Sequence, residues 1–236
     1  MTKTGVDYQG RDLEAMSAAV NYHQWILDEI QPFLGNSVAE VGAGIGSVSE
    51  MLLERGVGQL AAFEPSAQMF ALLQENLGGE ARARVINDFF SPSYAGEQFD
   101  SVVYLNVLEH IPEDGKELAG AFECLRPGGH LIIFVPALQW LYSDFDREVG
   151  HFRRYTLGGL KSIVAGAGFS IVRARYFDIA GVLPWYVNFV LLRNTMGKGS
   201  VALYDKVAVP IMKRVESVLR PPLGKNVLLI ARKDAC

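Results

Sequence analysis

The sequence contains little cysteine and no excess of positive charge. Only two of its 236 residues are cysteines, Cys124 and Cys236, and they lie far apart without a C-x-x-C spacing. This usage is typical of a reducing compartment and argues against a disulfide-stabilised fold. The formal net charge is -4, whereas proteins that follow a phosphate backbone are usually basic. The composition therefore argues against nucleic acid as a partner.

Long apolar runs are also missing. Residues 1–10 are polar and lack the apolar stretch of a signal peptide. No run approaches the ~20 residues needed to span a bilayer. The longest one, residues 179–192, is interrupted by Pro184 and Asn188. We therefore expect a cytoplasmic protein without an integral membrane segment.

Short β-rich runs alternate with helical segments, a pattern typical of a parallel sheet covered by helices on both faces. The predicted strands span residues 37–41, 60–63, 84–86, 99–105, 130–135, 170–176 and 227–231. Helices are predicted over residues 48–55, 67–76, 115–124 and 157–167, after leading helices over 13–20 and 23–30. We expect an α/β domain over residues 35–236, preceded by a helical cap over residues 1–34.

About fifty residues, 177–225, separate the last two predicted strands, where a hairpin would need only a few. Before Lys225 at its end, this helical insertion carries six Lys or Arg residues against three acids. It also contains Trp185, Tyr186 and Phe189 after Pro184. An apolar substrate wall, a dimer interface and a surface resting on a membrane are all consistent with it. Peripheral membrane contact and a monomer or homodimer thus stay open, and we expect Trp185 and Tyr186 to contact substrate.

A glycine-rich turn follows the first strand. It contains Gly42, Gly44 and Gly46, and Glu40 lies just before it. A dinucleotide fingerprint, G-x-G-x-x-G, would need glycine at position 47, which is Ser47. Glu40 would serve two phosphates poorly but would attract a cofactor that carries an ammonium and a sulfonium group. The turn therefore favours such a cofactor over NAD, the alternative being glycines that only shape a tight turn.

Acidic residues follow the second and third strands. Glu64 lies roughly twenty residues after the glycines, where a carboxylate can accept hydrogen bonds from both ribose hydroxyls. Pro65 and Ser66 continue the same turn and belong to the predicted cofactor site. Asp88 could accept from an adenine amino group while Phe89 packs on the ring. The alternatives are a surface carboxylate and a loop acid beside core phenylalanines.

These motifs resemble those of a known family. Residues 40–46, 64, 88–89, 99–110 and 125–129 follow the order and spacing seen in class I S-adenosylmethionine-dependent methyltransferases, over about residues 35–136. The resemblance implies a Rossmann-like sheet of seven strands with an antiparallel last strand. It also implies S-adenosyl-L-methionine across the ends of strands one, two and four, with S-adenosyl-L-homocysteine as product. The Asn106-x-x-x-His110 stretch, which adds Asn106 to the cofactor site, resembles small-molecule methyltransferases, including those of quinone and lipid-like acceptors.

Methyl transfer needs an aligned acceptor, and it needs a base only if the acceptor arrives protonated. His110 follows strand four and His151 follows strand five, so either could be catalytic, or could pack and order its loop instead. Arg153 and Arg154 could clamp an anionic acceptor, with Tyr155 beside them. More often, one of two adjacent arginines is solvated and the other is paired with an acid.

Two further groups of residues allow alternative roles. Tyr22 and Trp25, on the second leading helix, could close over the cofactor or acceptor, or pack in the core. Asp144 and Asp146 with His151 could suggest a metal site, but such sets are common by chance, and we predict no metal.

The sequence thus predicts a methyltransferase of a small, apolar or amphipathic acceptor, with O-methylation favoured over N- or C-methylation. The alternatives are a non-catalytic cofactor-binding subunit and, less favoured, an NAD-dependent oxidoreductase.

Overall fold

A computed structural model describes residues 19–194 and 198–235, except for the side chain of Lys198. The strands are β1 (Ser37–Val41), β2 (Gln59–Phe63), β3 (Ala83–Ile86), β4 (Phe99–Leu105), β5 (Leu125–Pro136), β6 (Ser170–Phe177) and β7 (Asn226–Arg232). The α-helices are α1 (Val20–Ile30), α2 (Ser47–Glu54), α3 (Ala67–Leu77), α4 (Asp114–Cys124), α5 (Asp144–Glu148), α6 (Leu157–Gly166), α7 (Val182–Trp185) and α8 (Lys198–Val218). A π-helical turn, Tyr186–Leu191, continues α7. Most of the predicted helix over 13–20 lies outside the described residues.

All seven strands form one sheet in the order β3-β2-β1-β4-β5-β7-β6. The pairs β1–β2, β2–β3, β1–β4 and β4–β5 are parallel, whereas β7 runs antiparallel to both β5 and β6. The predicted seven-stranded α/β sheet with an antiparallel last strand is confirmed. From β1 to β3 the strands are added toward one edge of the sheet, and from β4 onward they are added toward the other edge. Open α/β sheets bind ligands at such a switch point, here between β1 and β4.

Helices cover both faces of the sheet because alternate residues of each strand point to opposite sides. In β1, Ala39 and Val41 belong to the apolar cluster that includes Leu118 of α4 and Leu160 of α6. Val38 belongs to a second cluster, formed with residues of α1, α2 and α3. β2 is nearly continuous in apolar residues for this reason.

The carboxyl ends of four parallel strands lie in one row. Val41 of β1 pairs with Phe63 of β2 and with Tyr104 of β4, and Phe63 pairs with Ile86 of β3. The residues that follow these strands therefore lie along one edge of the sheet. This edge carries the glycine turn and the acids that follow β2 and β3.

The start of β5 differs most from the prediction. It lies at Leu125 rather than at residue 130, because Leu125 already pairs with Phe99 and a register shift against β4 accommodates residues 126–129, where Gly128 has a φ of 82°. The insertion between β6 and β7 contains α8, one helix of 21 residues that continues through Pro210. No helix within the described residues is long and apolar enough to cross a membrane.

Candidate functional site

The glycine-rich turn after β1 has a backbone that glycine adopts more easily than any other residue. Gly42, Gly44 and Gly46 have positive φ angles of 70°, 59° and 94°, in the left-handed region. A Cβ added at Gly42 would lie 2.6 Å from Val107 Cγ2, and one at Gly46 would lie 2.9 Å from Leu73 Cδ1. The shape of this turn therefore requires glycine at the predicted positions.

Glu64 lies at the end of β2 and faces the glycine turn. Gly44 N donates to its Oε2 at 2.9 Å, and Ser66 N donates to its Oε1 at 2.8 Å. Burial raises the pKa of Glu64, and these two backbone donors act against that rise. Pro65 separates it from Ser66, whose Oγ caps α3. The carboxylate is thus held beside the turn, and each oxygen retains a lone pair that can accept from a ribose hydroxyl.

Glu40 lies in β1, buried, two residues before the turn begins. The Ser49 hydroxyl of α2 donates to its Oε2. Burial raises the pKa of Glu40 to about 7; the Ser49 hydrogen bond lowers it, and the nearby Glu64 raises it further. A positively charged ligand group would favour the ionised form of Glu40, whereas a phosphate would oppose it. The charge pattern therefore fits an ammonium and sulfonium cofactor better than a dinucleotide.

The two phenylalanines after β3 have different environments. Phe90 is buried and its ring lies 5.0 Å from that of Phe63. Phe89 is 51% exposed, so its ring presents a face that an adenine ring could contact. Asp88 Oδ1 accepts a hydrogen bond from Phe89 N at 3.0 Å. The geometry is compatible with the adenine role predicted for Asp88 and Phe89.

Asn106, directly after β4, has a positive φ of 55° although it is not glycine. Its N–H donates to Phe134 O at 2.8 Å, which anchors this conformation to β5. Strained backbone of this kind is concentrated at functional sites.

A cavity of ≈ 90 Å³ lies beside Asn106, next to the end of β4. It is lined by Tyr22, Asn106, Glu109, His110, Pro136, Phe145, His151, Arg154, Trp185, Lys225 and Asn226. Both histidines that were predicted as catalytic lie here, with their ring centroids 4.7 Å apart. Three predicted substrate residues, Tyr22, Arg154 and Trp185, line the same space.

His151 is held by a buried acid. Its Nδ1 lies 2.8 Å from Asp146 Oδ1, and Arg154 contacts both oxygens of that carboxylate, Nε at 2.9 Å and Nη2 at 3.1 Å. Burial alone would raise the pKa of Asp146, but the hydrogen bond from His151 and the Arg154 guanidinium hold it below its usual value. Because an ionised carboxylate can only accept, we assign the proton to Nδ1 of His151. Its Nε2 is then the atom with the lone pair.

Glu109 and His110 complete the polar wall. Glu109 is fully buried, and neither of its carboxylate oxygens has a hydrogen-bond partner among the other described residues. Its Oε1 lies 3.8 Å from His151 Nε2, and burial raises its pKa to about 7. Burial lowers the pKa of His110 to about 4, with help from the nearby His151. His110 is therefore neutral near pH 7.

One set of side chains in the described residues could hold a metal ion. Glu109, His110 and His151 each offer one ligand atom, and these atoms lie within 4.8 Å of one another. The set differs from the one considered in the sequence, since Asp144 pairs with Arg147 instead.

The basic stretch after α5 is anchored to acids. Arg153 Nη1 lies 2.6 Å from Asp114 Oδ2, and Tyr155 OH lies 2.9 Å from the same oxygen. Arg154 pairs with Asp146, so both arginines are paired and neither is simply solvated. Of these three predicted substrate residues, only Arg154 lines the cavity. Arg153 and Tyr155 fix the loop that carries it.

A second, larger cavity of ≈ 450 Å³ adjoins the small one. It is lined by Ala19, Tyr22, Gly181, Pro184, Trp185, Asn188, Phe189, Ser200, Val201, Leu203, Tyr204, Asp205, Val207, Ala208, Val209 and Lys225. Tyr22, Trp185 and Lys225 line both cavities. The insertion thus forms an apolar wall around a space that continues from the polar cavity.

Two aromatic residues predicted to contact substrate lie elsewhere. Trp25 is 1% exposed and its ring lies 4.0 Å from that of Phe177, so it is a core residue. Its substrate role is corrected, because a fully packed indole presents no surface to a ligand. Tyr186 packs against Trp140 with ring centroids 5.7 Å apart and lines neither described cavity.

Sequence reasoning missed three groups that line or support the site. Asp146 was considered only as a metal ligand, Glu109 only as part of a motif, and Lys225 not at all. The acid five residues before His151 was visible, but no pattern indicated that the two side chains meet. Lys225 is brought to the site from the far end of the insertion by β7.

Comparisons with known proteins agree with this geometry. Residues 14–174 match the methyltransferase domain family. The ubiquinone biosynthesis O-methyltransferase of Pseudomonas entomophila is 31% identical over 109 residues, which are 45% of this chain and 47% of that protein. The chain thus spans about half the length of the curated relatives it matches first.

Solved structures show the same fold at low identity. An S-adenosylmethionine-dependent methyltransferase from Mesorhizobium loti superposes with a TM-score of 0.60 at 14% identity, over 87% of this chain and 95% of that one. A phosphoethanolamine N-methyltransferase from Haemonchus contortus, in complex with phosphomonomethylethanolamine and S-adenosylhomocysteine, superposes with a TM-score of 0.63 at 14% identity. The superposition covers 98% of this chain and 59% of that one. The family match covers more than half of the chain, and the glycine turn and its acids suit the same cofactor. The chain therefore belongs to the methyltransferase domain family, with a Rossmann-like fold.

Proposed function

We propose that this protein transfers a methyl group from S-adenosyl-L-methionine to a hydroxyl of a small, amphipathic acceptor. The proposal rests on the fact that the small polar cavity and the larger apolar cavity share part of their walls. A polar space with two histidines opens into an apolar space, and Tyr22, Trp185 and Lys225 line both. In this proposal residues 35–236 form the methyltransferase domain, 1–34 cap it, and 177–225 form the acceptor wall.

The cofactor is held at the row of strand ends. Bound there, S-adenosyl-L-methionine supplies an electrophilic methyl carbon and a neutral thioether leaving group. The residues that hold it are Glu40, Gly42, Gly44, Gly46, Glu64, Pro65, Ser66, Asp88, Phe89 and Asn106. Because Asn106 borders both the strand ends and the small cavity, the methyl group would face that cavity.

His151 is the base of the proposed reaction. With Nδ1 donating to Asp146, its Nε2 can accept the proton of an acceptor hydroxyl. The imidazolium that forms is stabilised by Asp146 and, near pH 7, by ionised Glu109. This arrangement follows the logic of a histidine that a carboxylate keeps in one tautomer. His110, neutral beside it, orients the acceptor oxygen by a hydrogen bond.

The apolar part of the acceptor extends into the larger cavity. Pro184, Phe189 and Val209 line that space, whereas the small cavity has room only for a reactive head group. Close-packed apolar walls of this kind favour a hydrophobic chain or ring over water. The resulting acceptor has one hydroxyl-bearing end and one apolar end.

We propose that the base acts without a metal ion. Arg154 already neutralises Asp146, which reduces the attraction of the site for a cation. Dialysis against EDTA should leave the initial rate unchanged. A rate lost on dialysis and restored by Zn²⁺ or Mn²⁺ would instead make Glu109, His110 and His151 metal ligands that hold the acceptor oxygen.

We further propose that the partner is a small molecule rather than nucleic acid, and that the protein works in the cytoplasm as a monomer or homodimer. The net charge of -4 and the two cysteines support this proposal. Two alternatives are kept: a non-catalytic cofactor-binding subunit, and an NAD-dependent oxidoreductase, which Ser47 and Glu40 oppose.

The test uses tritiated S-adenosyl-L-methionine with alkylphenols of increasing chain length and with alkylamines of the same lengths. We expect label in the phenols, with kcat/KM rising with chain length, and none in the amines. Label in the amines alone would replace O-methylation by N-methylation. Tight cofactor binding without transfer to any acceptor would favour the non-catalytic subunit. Binding of NAD instead of the sulfonium cofactor would favour the oxidoreductase.

A further inference from the structure

The acids of the insertion all point inward. Asp178, Asp205 and Glu216 are 0%, 5% and 3% exposed. Asp205 accepts from Tyr22 N at 2.8 Å, and Glu216 accepts from Ile179 N at 2.9 Å. Asp205 thus fastens the insertion to α1 and Glu216 fastens it to itself, so this negative charge does not appear on its surface.

Most basic residues of the same segment lie outside, whereas Lys225 lines both cavities. Lys206, Arg214 and Arg220 are exposed, and the side chain of Arg193 is 76% exposed. Lys213, half-buried, reaches Asp28 of α1. The described outer surface of the insertion is thus positive, although the whole chain has a net charge of -4.

An apolar stripe runs along α8 between these charges. Leu203, Val207, Ile211 and Val215 follow one another at intervals of four residues, and each is at least 39% exposed. Side chains at this interval share one face of a helix. Val218, 81% exposed, continues the stripe at the end of α8. The opposite face carries the buried residues Asp205, Val209 and Glu216, so this helix turns apolar side chains to solvent.

The stripe borders the larger cavity. Leu203 and Val207 belong both to the stripe and to the wall of the ≈ 450 Å³ space. The opposite wall includes Pro184, and its neighbour Leu183 is 68% exposed. The mouth of the cavity is therefore surrounded by exposed apolar side chains.

We propose that the exposed face of α8 docks on an anionic lipid surface and turns the cavity mouth toward the lipid. A helix with an apolar face and flanking basic residues is suited to lie in the membrane interface, where anionic headgroups attract its charges. A second copy of this chain fits less well, because a two-fold contact through this face would bring Lys206 and Arg214 close to their own copies. The role in acceptor entry rests on the proposed function; the docking itself does not.

This surface differs from the one that the sequence suggested. Residues 179–192 form the short α7 and the π-helical turn, and they bury Val182 and pack Trp185 against Phe145 and Phe189. That segment is therefore partly an inner wall. The continuous outer face belongs to α8, which the chain reaches only after the turn.

The experiment is flotation of the full chain with vesicles of phosphatidylcholine alone or with about a third phosphatidylglycerol. We expect binding to the anionic vesicles, weak binding to neutral ones, and release by high salt. The double variant Ile211→Ser, Val218→Ser should lose about tenfold or more of the bound fraction. Neither residue lines the described cavities. The matched control is Leu72→Ser, Val172→Ser, two exposed apolar residues outside the insertion, which should bind like the wild type.

Several outcomes would overturn the docking proposal. One is wild-type protein that does not float with anionic vesicles, and another is a double variant that binds like the wild type. A third is a wild-type dimer, seen by light scattering, that is absent in the double variant when neither protein binds lipid. Turnover of a short-chain, water-soluble phenol by the same variant is measured separately. It should stay unchanged, and its absence in the wild type as well would count against the proposed function and not against docking.

Discussion

His151 Nδ1 lies 2.8 Å from Asp146 Oδ1, and Arg154 holds the same carboxylate through two nitrogens. Three side chains from one loop and the short helix α5 thus form a buried network beside the small cavity. The network sets which nitrogen of His151 carries the proton and leaves the other on the side of Glu109. The reactivity proposed for His151 depends on this contact.

Replacing His151 by Ala should slow methyl transfer far more than it weakens cofactor binding. Loss of a general base typically costs about 100-fold or more in rate. The measurement is kcat on an alkylphenol together with the Kd for S-adenosyl-L-methionine by calorimetry. His130→Ala is the control, since His130 lies in β5 and lines neither of the described cavities. Unchanged turnover in His151→Ala would leave this residue a structural role only.

Replacing Asp146 by Asn should lower kcat by about tenfold or more, because the amide no longer fixes one tautomer of His151. Nitrogen-15 NMR of the histidine rings reports the tautomer directly. We expect a shift of the His151 population toward protonated Nε2. A low kcat with an unchanged tautomer would mean that Asp146 acts only by holding Arg154.

Replacing Gly44 by Val should abolish measurable cofactor binding. The positive φ of 59° disfavours a β-branched side chain, and the added atoms would enter the turn that the cofactor approaches. Gly56→Val is the matched control. Gly56 also has a positive φ, of 92°, but a Cβ there meets nothing within 4 Å. Both variants should lose stability, and only Gly44→Val should lose the cofactor; retained affinity would contradict the position of the site.

Replacing Glu64 by Gln should weaken S-adenosyl-L-methionine binding by about tenfold to 100-fold, the cost of losing hydrogen bonds to a charged acceptor. Only one of the two backbone donors, Gly44 N or Ser66 N, can then use the single amide oxygen, so part of the loss comes from the turn itself. Calorimetric titration with the cofactor and with adenosine separates the ribose from the methionine part. An unchanged Kd for both ligands would remove the ribose role of Glu64.

Stability should fall as pH rises through the range where Glu40 and Glu109 ionise. Burial raises the pKa of each to about 7 from an unfolded value near 4.5. Between pH 4.5 and about pH 7 the folded state therefore binds more protons than the unfolded state. The stability that these groups contribute is fully present below the unfolded pKa and is lost as the pH rises to the folded pKa. For Glu109→Gln we expect a pH dependence smaller by about 1–3 kcal/mol in the free energy of unfolding.

Urea unfolding at about pH 5 and about pH 8 measures this difference. Glu54→Gln, an exposed acid at the end of α2, is the control and should behave like the wild type. An identical pH dependence for Glu109→Gln and the wild type would show that Glu109 is not the titrating group.

Much of the cofactor edge could be predicted from the sequence because it is local. Gly42, Gly44 and Gly46 are needed by a turn of five residues, and Glu64 is placed by the end of one strand. Parallel pairing then brings Glu64 to Gly44 without further information, since strand ends in such a sheet align. The antiparallel last strand agrees with what the family resemblance implied.

The acceptor side could not be predicted in the same way. Trp25 and Tyr22 lie on one helix and both are aromatic, yet only Tyr22 lines the cavities while Trp25 packs on Phe177. They lie three positions apart, and the difference depends on which face of α1 the sheet covers. Arg153 and Arg154 are adjacent in sequence but bind different acids, Asp114 and Asp146.

The sequence by itself determined the family, the cofactor edge and the sheet, because strand ends, glycine turns and apolar periodicity depend on neighbours a few residues apart. Only the tertiary structure decided the acceptor side, where Asp146 meets His151, Lys225 returns beside Tyr22, and α8 turns Ile211 outward. The last two depend on how the insertion and α1 pack against the sheet, whereas the contact between Asp146 and His151, five positions apart, depends on the turn after α5. When two side chains in contact lie more than a hundred residues apart in the sequence, that packing determines the contact, and no local sequence pattern predicts it.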